Sequence, residues 1–201
     1  GSMIGRLYRL PVVKRIYGTF LMDDISYSKI VIFLKHPLEY LSFSMRSRST
    51  IITNDGTFGD KVYKKIGNKQ SPLYFLMNGV DECLQKKPNI PANMSGVFIS
   101  YVARIDEWKN QALLLEAFYN VASKHPDLKL YIVGQIINSK YHDLLLEYIK
   151  NNNLKNVFFL TNCKHKDSLY ILKKSTLTLS LYHLSNLGNV FLEAYKIGTP
   201  I

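Results

Sequence analysis

The chain has 201 residues, of which 47% are hydrophobic, and its 26 Lys and Arg against 15 Asp and Glu give a net charge of +11. That length suits one large domain or parts of two, with apolar content ample for a packed core, so a globular chain is expected. No apolar run approaches the roughly eighteen residues needed to cross a bilayer, and the start of the chain lacks a signal-peptide pattern, so a cytoplasmic location is expected.

A charge of this size attracts nucleic acid, anionic lipid or a phosphorylated substrate. The lysines are dispersed, with no nucleic-acid module beside them, and a nucleic-acid partner is not expected. Cys83 and Cys163 stand in no metal-ligand spacing and read as reduced thiols, and His36, His125, His142, His165 and His183 are scattered. No metal or other cofactor is expected.

In chain order, Pro11 to Ile16 reads as a short strand leading into the turn Tyr17-Gly18-Thr19, where glycine permits close backbone approach. Lys29 to Leu34 is apolar and β-branched, open to either strand or helix. Ser49 to Thr53 is a clearer strand, followed by the breakers Asn54-Asp55-Gly56. Asp60 to Ile66 reads as a helix stopped by Gly67, and Leu73 to Met77 as a third apolar run closed by Asn78-Gly79-Val80-Asp81. Residues 82–95, poor in large apolar side chains, read as a linker.

From Val97 the pattern becomes regular. The strand Val97 to Val102 leads through a charged loop to a helix with Leu114, Phe118, Val121 and Ala122 at i, i+4, i+7 and i+8. The strand Leu128 to Val133 with Gly134 at its exit, a helix over 139–152, the strand Asn156 to Leu160 and a helix over 166–174 follow. Thr176 to Leu181 reads as a last strand. Val190, Ala194 and Ile197 then place a helix with one buried face between Gly188 and Gly198. Short apolar strands alternating with amphipathic helices imply an α/β, doubly wound parallel sheet.

In such sheets ligands bind beyond the carboxyl ends of the strands. Two loops stand there. Arg104 and Lys109 in the first supply a forked donor and a point charge, which suits a diphosphate, although both also read as surface ions. The second, opened by Gly188, aims free N–H groups and the positive helix end at one point, while Glu193 in the second turn suits two vicinal hydroxyls. An ordinary strand-loop-helix unit with a solvated Glu193 is the alternative.

The order Arg104-Ile-Asp-Glu-Trp-Lys109, Leu114-Leu-Glu-Ala-Phe118, Leu130-Tyr-Ile-Val-Gly134, Asn156-Val-Phe-Phe-Leu160, Gly188-Asn-Val-Phe-Leu-Glu193-Ala and Gly198-Thr-Pro-Ile201 resembles the C-terminal domain of retaining glycosyltransferases of family 4, with Asn78-Gly-Val-Asp81 like the turn closing their N-terminal domain. The resemblance implies a GT-B fold: residues 4–90 as the second half of an acceptor-side N-terminal domain, and 91–201 as a nucleotide-sugar-binding C-terminal domain truncated at its end. Arg104 and Lys109 would hold the donor diphosphate and Glu193 the ribose. Ser185, Asn186, Leu187, Gly188, Asn189 and Val190 would face the donor sugar and phosphates, with Tyr17 and Gly18 lining the cleft from the N-terminal domain.

Two residues depart from the family pattern. Ser185 takes the place of the first of two glutamates eight positions apart, and Tyr17 that of a histidine before the glycine turn. The implied activity is transfer of a sugar from a nucleotide-sugar donor to a glycan or lipid-linked acceptor in bacterial surface polysaccharide synthesis, such as capsule or lipopolysaccharide. The alternative is a non-catalytic nucleotide-sugar-binding fragment. With this charge, peripheral association with an anionic membrane at its cytoplasmic face is compatible.

Overall fold

The computed structural model describes residues 2–80, 94, 96–182 and 187–201. The chain folds as two compact units, the first made of the residues up to Asn78 together with Leu187 and the second of the remaining described residues from Gly79 on. The linker expected over 82–95 lies outside the described residues apart from Met94, as do Cys83, His183, Ser185 and Asn186.

The first unit carries three parallel strands, β1 (Val13–Ile16), β2 (Ser49–Thr53) and β3 (Leu73–Leu76), in that spatial order. Val13 pairs with Ser49 and Thr50 with Leu73. Four helices accompany them: α1 (Ser2–Leu7), α2 (Lys29–Lys35), α3 (Pro37–Ser44) and α4 (Gly59–Ile66). The segment left open between strand and helix is helical, because the Ser28 side chain caps α2 by accepting from Val31 N–H and Ile32 is the residue it buries. A further helix, α3, starts at Pro37, whose missing N–H costs nothing in a first turn. Its end is held by Lys14 of β1, whose ammonium donates to the carbonyls of Ser42 at 3.0 Å, Phe43 at 3.2 Å and Met45. Cations near the last carbonyls of a helix are favourable. The core gathers Leu21, Ile32, Phe43, Ile52, Val62, Tyr63 and Ile66 into one cluster.

The second unit holds four parallel strands, β4 (Phe98–Val102), β5 (Lys129–Val133), β6 (Val157–Leu160) and β7 (Leu177–Thr178), in the order β6-β5-β4-β7. They alternate with α5 (Gln111–Ala122), α6 (Ser139–Asn151), α7 (His165–Lys174) and α8 (Asn189–Ile197), as the periodicity predicts. Successive residues point to opposite faces of a strand. On β5, Leu130 and Ile132 therefore join Leu114, Leu115 and Phe118 of α5 and Leu145 of α6, while Tyr131 and Val133 join Leu169, Ile171 and Leu172 of α7 and Ala194 of α8. Both faces are covered.

The last strand is shorter than the six-residue run Thr176 to Leu181 predicts. After Leu179 N–H donates to Ser100 O at 3.0 Å, Leu181 and Tyr182 both pack into the cluster below α5, and the Val102 carbonyl accepts from the Tyr182 hydroxyl at 3.1 Å. What β7 lacks in length is supplied by hydroxyls. Ser175 Oγ donates to Ser100 Oγ at 2.7 Å and Thr178 Oγ1 to Ser100 O at 3.1 Å, while Thr199 Oγ1 ties the chain after α8 to α7 by donating to Leu172 O at 2.8 Å.

Gly134 fixes the tips of β4 and β5. A Cβ there would lie 1.9 Å from Ala103 O, so only glycine admits the approach that seats Ala103 beside the β5 exit. Gly198 ends α8 with φ +84°, and the N–H groups of Gly198 and Thr199 both donate to Ala194 O. Among the described residues no helix is long and apolar enough to cross a membrane.

Candidate functional site

The carboxyl ends of β4 and β7 carry the two loops that the sequence singles out. After β4 the backbone runs through Arg104 and a 3₁₀ turn, Glu107–Lys109, to Asn110, which takes φ +56° ahead of α5. Gln111 secures the turn by donating from Nε2 to Arg104 O at 2.8 Å, and the Tyr101 hydroxyl donates to Lys109 O. The loop backbone is thus tied to α5 at Arg104 and to β4 at Lys109.

Asp106, buried to 6% exposure, sits inside this loop. Its Oδ2 lies 3.6 Å from Arg104 Nε, and its Oδ1 has no hydrogen-bond partner among the described residues. Lys109 also feels Asp106 and Arg104. Burial holds the Lys109 ammonium below the usual lysine range, Asp106 pulls the other way and Arg104 adds to the lowering. The two cations therefore share one electrostatic neighbourhood, with a single buried carboxylate between their loop positions.

Lys109 Nζ rests 3.7 Å from the centre of the Tyr182 ring. Tyr182 stands edge-on to Tyr101, with centroids 6.2 Å apart. Its phenol is pushed up to about 12 by burial, with Glu193 and Asp106 adding to the shift. A Cβ built on Gly188 would meet Tyr182 Cε2 at 3.6 Å. Gly188 is the residue before α8, and as a glycine it brings no side chain of its own to cap that helix end. Arg104, Lys109, Gly188 and Glu193 are thus linked through Tyr182 and Asp106.

Glu193 is not the solvated carboxylate of the alternative reading. It is buried, and its Oε1 meets His165 Nε2 at 2.8 Å, which joins α8 to the first residue of α7. Leu187, Gly188 and Val190 are half-buried, Val190 against the α7 and α8 cluster, and Asn189 is exposed. Beside the first loop lies an open depression of about 590 Å³ lined by Arg104, Asp106, Glu107, Trp108 and Asn138, with Asn138 Nδ2 donating to Glu107 Oε1 at 2.7 Å.

Tyr17 and Gly18 belong to the first unit. The Tyr17 ring is exposed and carries the Arg15 guanidinium at 4.7 Å. A Cβ on Gly18 would meet Asp55 Oδ2 at 2.7 Å, so the turn lies tightly against the loop after β2. Glu39 of α3 holds the following residues, accepting from Thr19 Oγ1 at 2.6 Å and Phe20 N–H at 3.3 Å.

Sequence reasoning missed Asp106, His165 and Tyr182. Asp106 carries a signal, an acid placed among bases in a loop at a strand end. Tyr182 and His165 carry none, because their partners are 73 and 28 residues away in the chain, and only folding brings them together.

The family described as Glycosyl transferases group 1 matches residues 84–201. An uncharacterized glycosyltransferase of Methanocaldococcus jannaschii is 30% identical over 121 residues, 60% of this chain and 29% of that protein. Glycogen synthase of Mycobacterium tuberculosis is 21% identical over 200 residues, 98% of this chain and 47% of that enzyme. The chain thus spans less than half the length of both curated relatives. Among solved structures, Anabaena HepE in complex with UDP-glucose superposes with a TM-score of 0.73 at 19% identity, over 100% of this chain and 55% of that one. The α/β, parallel-sheet architecture expected from the sequence is that of these structures.

Proposed function

The chain belongs to the group 1 glycosyl transferases, and from that premise we propose that it transfers a sugar from a nucleotide-sugar donor, with retention of anomeric configuration as in family 4, to a glycan or lipid-linked acceptor. One observation carries the reading: Arg104 and Lys109 share one electrostatic neighbourhood at the carboxyl end of β4, and Lys109 reaches through Tyr182 to the amino end of α8. Two cations and the N–H groups of a helix end are the donor set a diphosphate needs. As the glycosidic oxygen of the donor departs, negative charge grows on the diphosphate, and fixed cations stabilise it electrostatically.

Glu193 would accept hydrogen bonds from the ribose hydroxyls through the carboxylate oxygen that His165 does not engage. Anabaena HepE binds UDP-glucose, which makes a uridine diphosphate sugar the first donor to test. A role in surface polysaccharide synthesis at the cytoplasmic face of an anionic membrane fits the charge of +11.

The test is calorimetric titration of the chain with UDP, GDP and ADP. Lys109→Ala should weaken the tightest of them by roughly 1–3 kcal/mol, the range for a hydrogen bond to a charged group. The sign with pH follows from the lowered ammonium: the protonated form binds the anion, so once the diphosphate is fully ionised affinity holds while Lys109 keeps its proton and falls as pH rises further, at a lower pH than for an ordinary lysine. Lys109→Ala should remove that alkaline limb. Unchanged affinity in the variant would overturn the assignment.

A further inference from the structure

Tyr182 lies against Lys109 and beside Gly188 in the candidate donor site, yet it is not itself one of the proposed diphosphate ligands. We infer that Tyr182 is a positioning residue, whose ring face holds the Lys109 ammonium beside the amino end of α8 while leaving its charge available to a bound diphosphate. This rests on Lys109 being a diphosphate ligand.

Three observations carry it. Lys109 Nζ lies 3.7 Å from the ring centre, well within the distance at which the negative face of an aromatic ring attracts a cation. The ring cannot swing freely, since its hydroxyl donates to Val102 O at 3.1 Å and its edge packs against the fully buried Tyr101. The Cε2 corner of the same ring lies beside Gly188, where an added Cβ would already be in van der Waals contact at 3.6 Å. One rigid side chain therefore sets the distance between a cation from the β4 loop and the first turn of α8.

The choice of a ring over a carboxylate has a chemical meaning. A carboxylate at that place would hold the ammonium equally well but cancel its charge, and an incoming diphosphate would have to displace it. A phenol pushed up to about 12 stays neutral across the physiological range, so it orients the cation without competing for it. Asp106 remains the acid of the cluster, and Arg104 lies at its Oδ2.

The experiment is a double-mutant cycle on nucleoside diphosphate binding, using whichever of UDP, GDP and ADP binds the chain tightest. Tyr182→Phe keeps the ring and should bind within about twofold of the parent, whereas Tyr182→Leu should bind about tenfold more weakly, the scale of a partly desolvated cation–π contact. In the Lys109→Ala background Tyr182→Leu should change affinity less than about twofold, because its partner is gone. Equal losses in both backgrounds would mean that Tyr182 merely supports the fold, and no loss in the parent background would mean that the ring does not position the lysine. Replacing Tyr182 with trifluorophenylalanine keeps the shape and drains the ring face of negative charge, so it tests the same point should Tyr182→Leu fail to fold. Affinity equal to that of Tyr182→Phe would overturn the inference. If Lys109→Ala itself leaves binding unchanged, the diphosphate reading fails first, and that outcome is distinct from a failure of Tyr182 alone.

Discussion

In the second unit β5 sends Leu130 and Ile132 into one cluster and Tyr131 and Val133 into another, whereas in the first unit β3 leaves Tyr74 at 52% and Leu76 at 54% exposure. Both sheets are parallel and obey the same pleat, but one has helices packed on both faces and the other buries a single cluster. A strand covered on both sides has its end fixed in every direction. The loop that leaves β4 starts from a strand covered in this way, and the chemistry proposed above depends on it.

Substitutions rank the difference. Ile132→Ala, at a fully buried position of the doubly covered sheet, should cost about 2–5 kcal/mol in urea unfolding, the range for such truncations. A smaller loss would mean that the two clusters of the second unit collapse around the gap. Gly134→Ala comes next, since its Cβ would meet backbone rather than a side chain that can move aside. We expect about 1–3 kcal/mol, the cost of overpacking. Nucleoside diphosphate affinity should weaken with it, as the clash falls on the residue before Arg104; a stability loss with intact affinity would separate the strand tips from the site.

Gly198→Ala should cost about 1 kcal/mol, because the position has open space but a left-handed backbone that a Cβ disfavours. At the low end, Tyr74→Ser on β3 should change stability by no more than about 0.5 kcal/mol, as expected for exposed positions. A loss there as large as that of Ile132→Ala would show that the first unit covers β3 in solution and would break the comparison.

The same contrast explains what the sequence reveals. In the second unit helices read cleanly because each has one sheet to face, and Val190, Ala194 and Ile197 fall on the buried side of α8. In the first unit the signal blurs. Ile30 and Leu34 of α2 and Leu38 of α3 point to solvent, so their apolar residues do not mark a face, and the run Ile30-Val31-Ile32 resembles a strand. The overlong reading of β7 has a different cause, since Thr176 to Leu181 has strand-forming residues throughout, yet the ladder stops where Leu181 and Tyr182 pack into the cluster with α5. Arg104, Lys109, Gly188 and Glu193 stand out in the sequence as candidates because each belongs to a local motif. The groups that bear on them, Tyr182, His165 and the buried side of Asp106, are tertiary.

The hydroxyl-tied junction of β4 and β7 also has a consequence in time. Ser100 and Thr178, which meet there, are separated by 78 residues, and the ladder between them is only two residues long. Closing a loop of that length for so short a reward is slow, while β4, β5 and β6 pair through nearer neighbours. We therefore expect refolding to restore helical dichroism first and nucleoside diphosphate binding after a measurable lag, and simultaneous recovery would contradict it. Lys109 and Tyr182 would then share an address only once the rest of the unit has formed, and a nucleotide could select finished molecules from a refolding mixture.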